Sequence, residues 1–333
     1  MSRIQPRVSS GPPGIQPRAS GGQPDPARSD PDRLLRRLEW TVIRRLDGLL
    51  QGDYRTLFRG YGLDLADLRE YQYGDDVRHI DWNVTARLQT PHVREYHEDR
   101  EITAWFLLDL SASVDFGSRG IRKRNVSQDF VAVLARILTR HGNRVGALLY
   151  GSGVESMIPA RSGRRHVLEV LHAMSLDRKP RGSSKTNLRE LLEAAANMIR
   201  RRSLIFVVSD FISEPGWAGL LGYLGQRHEI IAVRLHDPLE AELPDLGLLP
   251  FRDAESGETL LVDTHDRGFR RRFAAASARR EARLRAAFND AGVDCLELST
   301  EDDLLDSIRR FADLRKRRSK TAASPKTHVF QAA

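Results

Sequence analysis

Apolar residues along this chain follow two alternating patterns. Short unbroken runs such as Trp105-Phe106-Leu107-Leu108 and Leu204-Ile205-Phe206-Val207-Val208 read as strands buried on both faces. Longer stretches between them repeat their apolar positions at helical spacing. From about residue 92 the pattern predicts strand 103–109, helix 122–140, strand 145–150, strand 154–159, helix 164–173 and helix 187–201. It continues with strand 203–209, helix 215–226, strand 229–235, helix 267–291, strand 293–298 and helix 301–316. Such alternation implies an α/β fold, a doubly wound and mostly parallel sheet covered by helices on both faces.

Upstream the pattern changes. Asp30-Pro31 has the form of a helix start, with Asp as cap and Pro at the first position. Leu34, Leu35, Leu38, Val42, Ile43, Leu46 and Leu49 then form one face of an amphipathic helix over 31–51. Its arginines would suit a membrane surface, but Glu39 and Asp47 interrupt them, which favours packing on its own domain. Residues 52–100 are dense in turns, charges and aromatics, and are expected to form a small β-rich extension ahead of the main domain at 101–316. Residues 1–30 are rich in Pro, Gly, Ser and Arg and are expected to be disordered, as is the basic tail 317–333. The first of these holds a short repeat, Ile4-Gln5-Pro6-Arg7-Val8-Ser9 returning as Ile15-Gln16-Pro17-Arg18-Ala19-Ser20. Two copies cannot build a solenoid.

Composition narrows the function classes. The 333 residues are 40% hydrophobic, enough for a real core in one large domain and a smaller part. The single cysteine, Cys295, sits in an alternating strand-like run and reads as a buried structural thiol. The first residues have no apolar core for a signal peptide, and no apolar run reaches the roughly 18–20 residues that span a bilayer. The expectation is a soluble cytoplasmic protein with no membrane span. A net charge of +8 would allow anionic partners, and the helix from 267 is rich in arginine. Basic stretches interleaved with stacking aromatics are missing, so no nucleic acid is expected.

The chemistry concentrates at strand ends. Asp109, Ser111 and Ser113 follow the first core strand, where ligands bind in an open α/β sheet. Asp210 ends a second apolar strand, and Thr186 lies in a loop before a helix. Parallel strands would bring these ends to one edge, so two carboxylates and three hydroxyls could surround a hard cation such as Mg²⁺. Singly, each residue could equally be a turn or cap residue.

Together, Asp109-x-Ser111-x-Ser113, Thr186 and Asp210 resemble the metal-ion-dependent adhesion site of von Willebrand factor type A domains. The stretch Arg69-x-Tyr71-x-x-Gly74-Asp75-Asp76-x-Arg78-x-Ile80-Asp81-Trp82, followed by Thr85-Ala86-Arg87, resembles a bacterial family signature. That family is the fifty-eighth of the numbered domains of unknown function, and its signature precedes a von Willebrand A-like domain. The resemblance covers about residues 55–315. It implies a Rossmann-like von Willebrand A fold and a metal, Mg²⁺ with Mn²⁺ or Ca²⁺ as alternatives, held by those five residues. It further implies a protein-binding module, not an enzyme, whose metal takes an Asp or Glu from a partner. The usual companion in the resembling family is a MoxR-type AAA+ ATPase, which would make this chain an adaptor presenting clients for remodelling or cofactor insertion.

Two departures stand out. Lys185 directly precedes Thr186, and an ammonium beside a cation would oppose its binding unless it points away. Longer relatives of this type carry a membrane hairpin upstream, and this chain resembles the soluble form. Two other functions compete. Asp75, Asp76, His79 and Asp81 lie close enough in sequence to form a hydrolytic acid/base or metal cluster, although Arg69, Arg78 and Arg87 offer them salt bridges. The arginines from Arg267 to Arg285 would suit a nucleic-acid or membrane surface, although Phe269, Phe273, Leu284 and Phe288 mark a buried face.

Overall fold

The structure, a computed structural model, describes residues 30–39, 67–73, 75, 77, 80–95, 102–176, 186–252 and 259–322. The N-terminal repeat, residues 40–51 of the expected first helix, and 323–333 of the basic tail lie outside the described residues. In chain order come α1 (Pro31–Leu38), β1 (Asp67–Glu70), α2 (Trp82–Leu88) and β2 (His92–Glu95). The main body continues with β3 (Thr103–Asp109), a 3₁₀ turn (Ala112–Asp115), α3 (Lys123–Arg140), β4 (Arg144–Tyr150), β5 (Val154–Arg161), α4 (Arg164–Ser175) and α5 (Leu188–Met198). It ends with β6 (Leu204–Ser209), α6 (Trp217–Gly225), β7 (Glu229–His236), a 3₁₀ turn (Pro238–Glu240), β8 (Leu248–Arg252), β9 (Thr259–Asp263), α7 (Arg267–Asp290), β10 (Asp294–Ser299) and α8 (Leu304–Ala322).

Six of these strands form one sheet in the order β10-β7-β6-β3-β4-β5. All neighbours are parallel except β4 and β5. Only Gly151, Ser152 and Gly153 separate that pair, and the Gly151 N–H closes on the Gly153 carbonyl at 3.0 Å. So short a connection can only make a hairpin. The chain passes from β3 outward to β4, then returns to place β6 on the other side of β3. The strand order therefore reverses between β3 and β6, in the middle of the sheet.

Burial on both faces results from the period of two. Ala104, Phe106 and Leu108 face a core shared with α3, α4 and α8, while Trp105 and Leu107 face a second core shared with α5, α6 and α7. Phe106 and Phe206, opposite each other in the β3–β6 register, stack at 5.1 Å, and Phe130 of α3 meets Phe206 edge-on at 5.8 Å. Each such side chain contributes about 1.5–3 kcal/mol on full burial. These rings fix the two central strands in register.

Helix α1 begins as its sequence indicates. Asp30 accepts the Asp32 N–H at 3.0 Å, and Leu34, Leu35 and Leu38 are buried in the first core. Arg136 pairs with Glu39 at 3.1 Å and Arg164 with Asp32 at 2.7 Å. The apolar face of this turn of helix is spent on the protein itself, which removes the membrane-surface reading for residues 31–38.

Three features depart from the sequence reading. The β8–β9 hairpin is additional; Leu248 and Leu261 are largely exposed, so it makes no buried apolar run. Helix α8 continues to Ala322, past the boundary expected near 316. Within 67–95, α2 is a helix between the antiparallel strands β1 and β2. Among the described residues no helix is long and apolar enough to cross a membrane.

Candidate metal centre

Asp109 and Asp210 stand at the C-terminal ends of β3 and β6, at the reversal of strand order, where open α/β sheets bind ligands. Both side chains are buried, at 0% and 2% exposure. Asp109 Oδ1 accepts the Ser111 N–H at 3.0 Å, and Oδ2 accepts the Ser209 hydroxyl at 2.6 Å. The Ser111 and Ser113 hydroxyls lie 3.1 Å apart on the 3₁₀ turn just beyond β3. Burial, and then the charge of Asp210, push the Asp109 carboxyl up to about 6, against the opposing hydrogen bonds of Ser209 and Ser111.

Asp210 Oδ1 accepts the Ile212 N–H at 2.9 Å, and Oδ2 receives the Lys123 ammonium at 2.6 Å. The next residue, Phe211, is held at φ 57°, a left-handed conformation that costs a non-glycine residue on the order of 1 kcal/mol. Its ring packs against Trp217 at 5.2 Å and edge-on against Phe288 at 4.9 Å, while its N–H bonds Ser209 Oγ at 2.9 Å. This aromatic cluster holds the chain reversal that turns Asp210 inward.

Thr186 is buried immediately before α5, and its carbonyl accepts the Ser213 hydroxyl and the Glu214 N–H, each at 3.0 Å. The Thr186 loop is thus tied to the segment leaving Asp210. The structure gathers Asp109, Ser111 and Ser113 closely, places Asp210 beside them, and docks Thr186 on the Asp210 side. Lys185 lies outside the described residues.

Sequence reasoning missed Lys123 and Glu240. Lys123 opens α3 and is fully buried; its Nζ lies 2.6 Å from Asp210 Oδ2 and 2.6 Å from Glu240 Oε1. Burial opposes its charge, but Asp210 and Glu240 outweigh that and raise its pKa above the ordinary lysine value. Nothing in Arg122-Lys123-Arg124 marks the middle residue as the buried one. The approach is shaped by the loop before it: Lys123 N bonds the Phe116 carbonyl at 2.9 Å. At Gly117 an added Cβ would lie 2.0 Å from the Ile121 carbonyl oxygen, so the turn admits no side chain there.

A third carboxylate on this edge, Asp237 after β7, behaves differently. It accepts Ser118 N at 2.7 Å, Ser118 Oγ at 2.9 Å, Thr300 Oγ1 at 2.6 Å and Leu239 N at 2.9 Å. Burial alone would raise its pKa, but those donors outweigh it and hold the carboxyl below its ordinary value. Asp237 ties three chain segments together.

The donors at the candidate centre fit a hard cation. They are all oxygens, and each Asp109 oxygen engaged by one protein donor still has a lone pair. Among the described residues the Lys123 ammonium pairs with two of the carboxylates here, Asp210 and Glu240, while Asp109 is held by Ser111 and Ser209. Among the described residues no group of three or more His, Cys, Asp or Glu side chains converges as a metal site.

Several residues of the other candidates are engaged in local structure. Asp81 caps α2, accepting Asn83 N at 3.0 Å and Val84 N at 3.3 Å, and Asp75 accepts Gln72 N at 2.8 Å. Asp76 and His79 lie outside the described residues. On α7, Leu284 and Phe288 enter the second core, Arg270 pairs with Asp245 at 2.7 Å, and Arg280 donates to the Glu240 carbonyl at 3.2 Å. Cys295 is half-buried, and its thiol is pushed up to about 12, chiefly by burial.

The chain is 37% identical over 283 residues to the uncharacterized protein Rv1480 of Mycobacterium tuberculosis, covering 85% of this chain and 89% of that one. It is 32% identical over 160 residues to the uncharacterized protein MAV169 of Mycobacterium avium, covering 48% of this chain and 94% of that one. Among solved structures, the conserved hypothetical protein BatB from Bacteroides thetaiotaomicron is similar at 16% identity and a TM-score of 0.41, covering 67% of this chain and 100% of that one. Residues 67–283, which include the β1–β2 pair and all five candidate ligands, match the model described as protein of unknown function DUF58, and the chain belongs to that family.

Proposed function

We propose that the protein is a metal-dependent protein-binding module of the von Willebrand A type. Asp109, Ser111, Ser113, Thr186 and Asp210 would hold Mg²⁺, or Mn²⁺ or Ca²⁺ in its place. The observation that carries this reading is a pair of buried carboxylates at the switch point of the sheet, where burial and then the charge of Asp210 raise Asp109 to about 6. A bound divalent cation would supply residual positive charge and an exchangeable position for an Asp or Glu of a partner. The chain's own groups set the geometry: Ser209 and Ser111 orient the Asp109 carboxylate, and the Phe211 reversal orients Asp210. This is binding rather than turnover. On the sequence resemblance, the partner class is a MoxR-type AAA+ ATPase in the cytoplasm, with this chain as its adaptor.

Co-purification with a MoxR-type ATPase from the same genome tests the reading. Capture by the tagged full chain is expected in Mg²⁺, and should be lost in EDTA and with Asp109→Ala. Undiminished capture in both would sink it.

A further inference from the structure

Lys123 carries the inference, which rests on the metal reading of Asp109 and Asp210. One ammonium sits 2.6 Å from a carboxylate oxygen of Asp210 and 2.6 Å from one of Glu240. The lysine and Asp210 side chains are each 1% exposed, and Glu240 is 18% exposed. The other Asp210 oxygen is engaged by the Ile212 N–H. A cation drawn to Asp210 therefore meets a second positive charge already on that carboxylate. Screening by water cannot relieve the repulsion at such burial.

The two acceptors of the ammonium differ. Asp210 belongs to the centre, whereas Glu240 sits on the 3₁₀ turn Pro238–Glu240 beyond β7. That turn is anchored independently: Glu240 Oε2 accepts Asp237 N at 3.1 Å, and its carbonyl accepts Ser277 Oγ at 2.9 Å and Arg280 Nη2 at 3.2 Å. Glu240 can thus keep the ammonium when Asp210 gives it up. We propose that Lys123 is a positioning residue for the metal centre, an internal cation that competes with the divalent ion for Asp210 and passes to Glu240 when the ion binds. In the absence of the ion it stands in for part of the ion's charge and holds the two strand ends together. The arrangement sets the affinity below that of the bare oxygen site, and loading is felt at α7 through the Glu240 turn.

Mn²⁺ serves as the probe, with free ion measured by electron paramagnetic resonance in titrations of the full chain. Near-UV circular dichroism in EDTA reports the fold. Lys123→Met is expected to bind Mn²⁺ tighter than the unmodified chain by about tenfold or more, as removal of a unit charge at contact distance dictates. Glu240→Gln, which removes the alternative acceptor, should bind more weakly. Asp109→Ala should abolish binding in either background and so assign the ion to this centre. A folded Lys123→Met that binds no tighter overturns the proposal while leaving the metal reading in place. If Lys123→Met loses its near-UV signal in EDTA, Glu240→Gln decides, and unchanged or tighter binding there overturns the proposal. Binding by Lys123→Met alone would uphold the role of Lys123 and sink the metal reading for the unmodified chain. No binding by any form sinks both.

Discussion

Asp109 at the end of β3 and Asp237 after the end of β7 lie on the same edge of the sheet, and both are almost fully buried. The fold surrounds Asp237 with four donors from three segments, and its carboxyl falls below the ordinary value. It gives Asp109 two donors and a second carboxylate nearby, and that carboxyl rises to about 6. Burial pushes both carboxyls up and does so more strongly at Asp109; at Asp237 the four donors outweigh it, whereas at Asp109 the charge of Asp210 adds to it and the donors do not. A carboxylate saturated by donors is a strut. One left short of donors beside another negative charge is a place for something positive.

The comparison breaks most visibly by removing the strut. Asp237→Ala leaves the buried Thr300 donor and the half-buried Ser118 donors without their acceptor, and should cost about 3 kcal/mol in urea unfolding, with or without Mg²⁺. Asp109→Asn should do the reverse. In EDTA at pH 8 it should gain about 1 kcal/mol or more, because the wild-type group must ionise where ionisation is disfavoured. The pH dependence sharpens this. A carboxyl whose folded pKa is raised from 3.8 to about 6 contributes stability that is complete below 3.8 and lost as pH rises through about 6. Metal-free protein should weaken over that window, Asp109→Asn should not, and Mg²⁺ should restore the wild type above it. A loss in Asp109→Asn as large as that in Asp237→Ala would erase the distinction.

The smallest effect is local. Cys295 lies on β10, whose far end is tied to Asp237 through Thr300, and its thiol is pushed up to about 12. Iodoacetamide at pH 8 should label it slowly in the wild type and in Asp109→Asn, and several times faster in Asp237→Ala. Equal rates in all three would mean that the Asp237 tie does not protect β10.

Much of the fold and the centre is legible in the sequence. Trp105–Leu108 and Leu204–Val208 announce two strands buried on both faces, and a parallel pair puts the residues just beyond their C-terminal ends on one edge. The apolar runs alone therefore bring Asp109 and Asp210 together. They do not bring Lys123, because a lysine becomes buried only through partners far away in sequence, and a run of three basic residues does not say which one turns inward. Phe211 gives no warning either, since a left-handed phenylalanine is imposed by its packing on Trp217 and Phe288 rather than by propensity. The β8–β9 hairpin is silent because its buried Val262 is flanked by residues such as Leu248 and Leu261 that stay largely exposed.

The contacts at this edge of the sheet join distant parts of the chain. Ser209 and Asp109 are separated by 100 positions, Lys123 and Glu240 by 117, and Ser118 and Asp237 by 119. Such contacts close late in folding, after large loops have been brought together. A chain still emerging from the ribosome, or one cut before residue 240, has Asp109 and its serines but lacks the Glu240 contact to Lys123. The pairing of Lys123 with both its acceptors thus depends on chain made long after the first carboxylate of the centre.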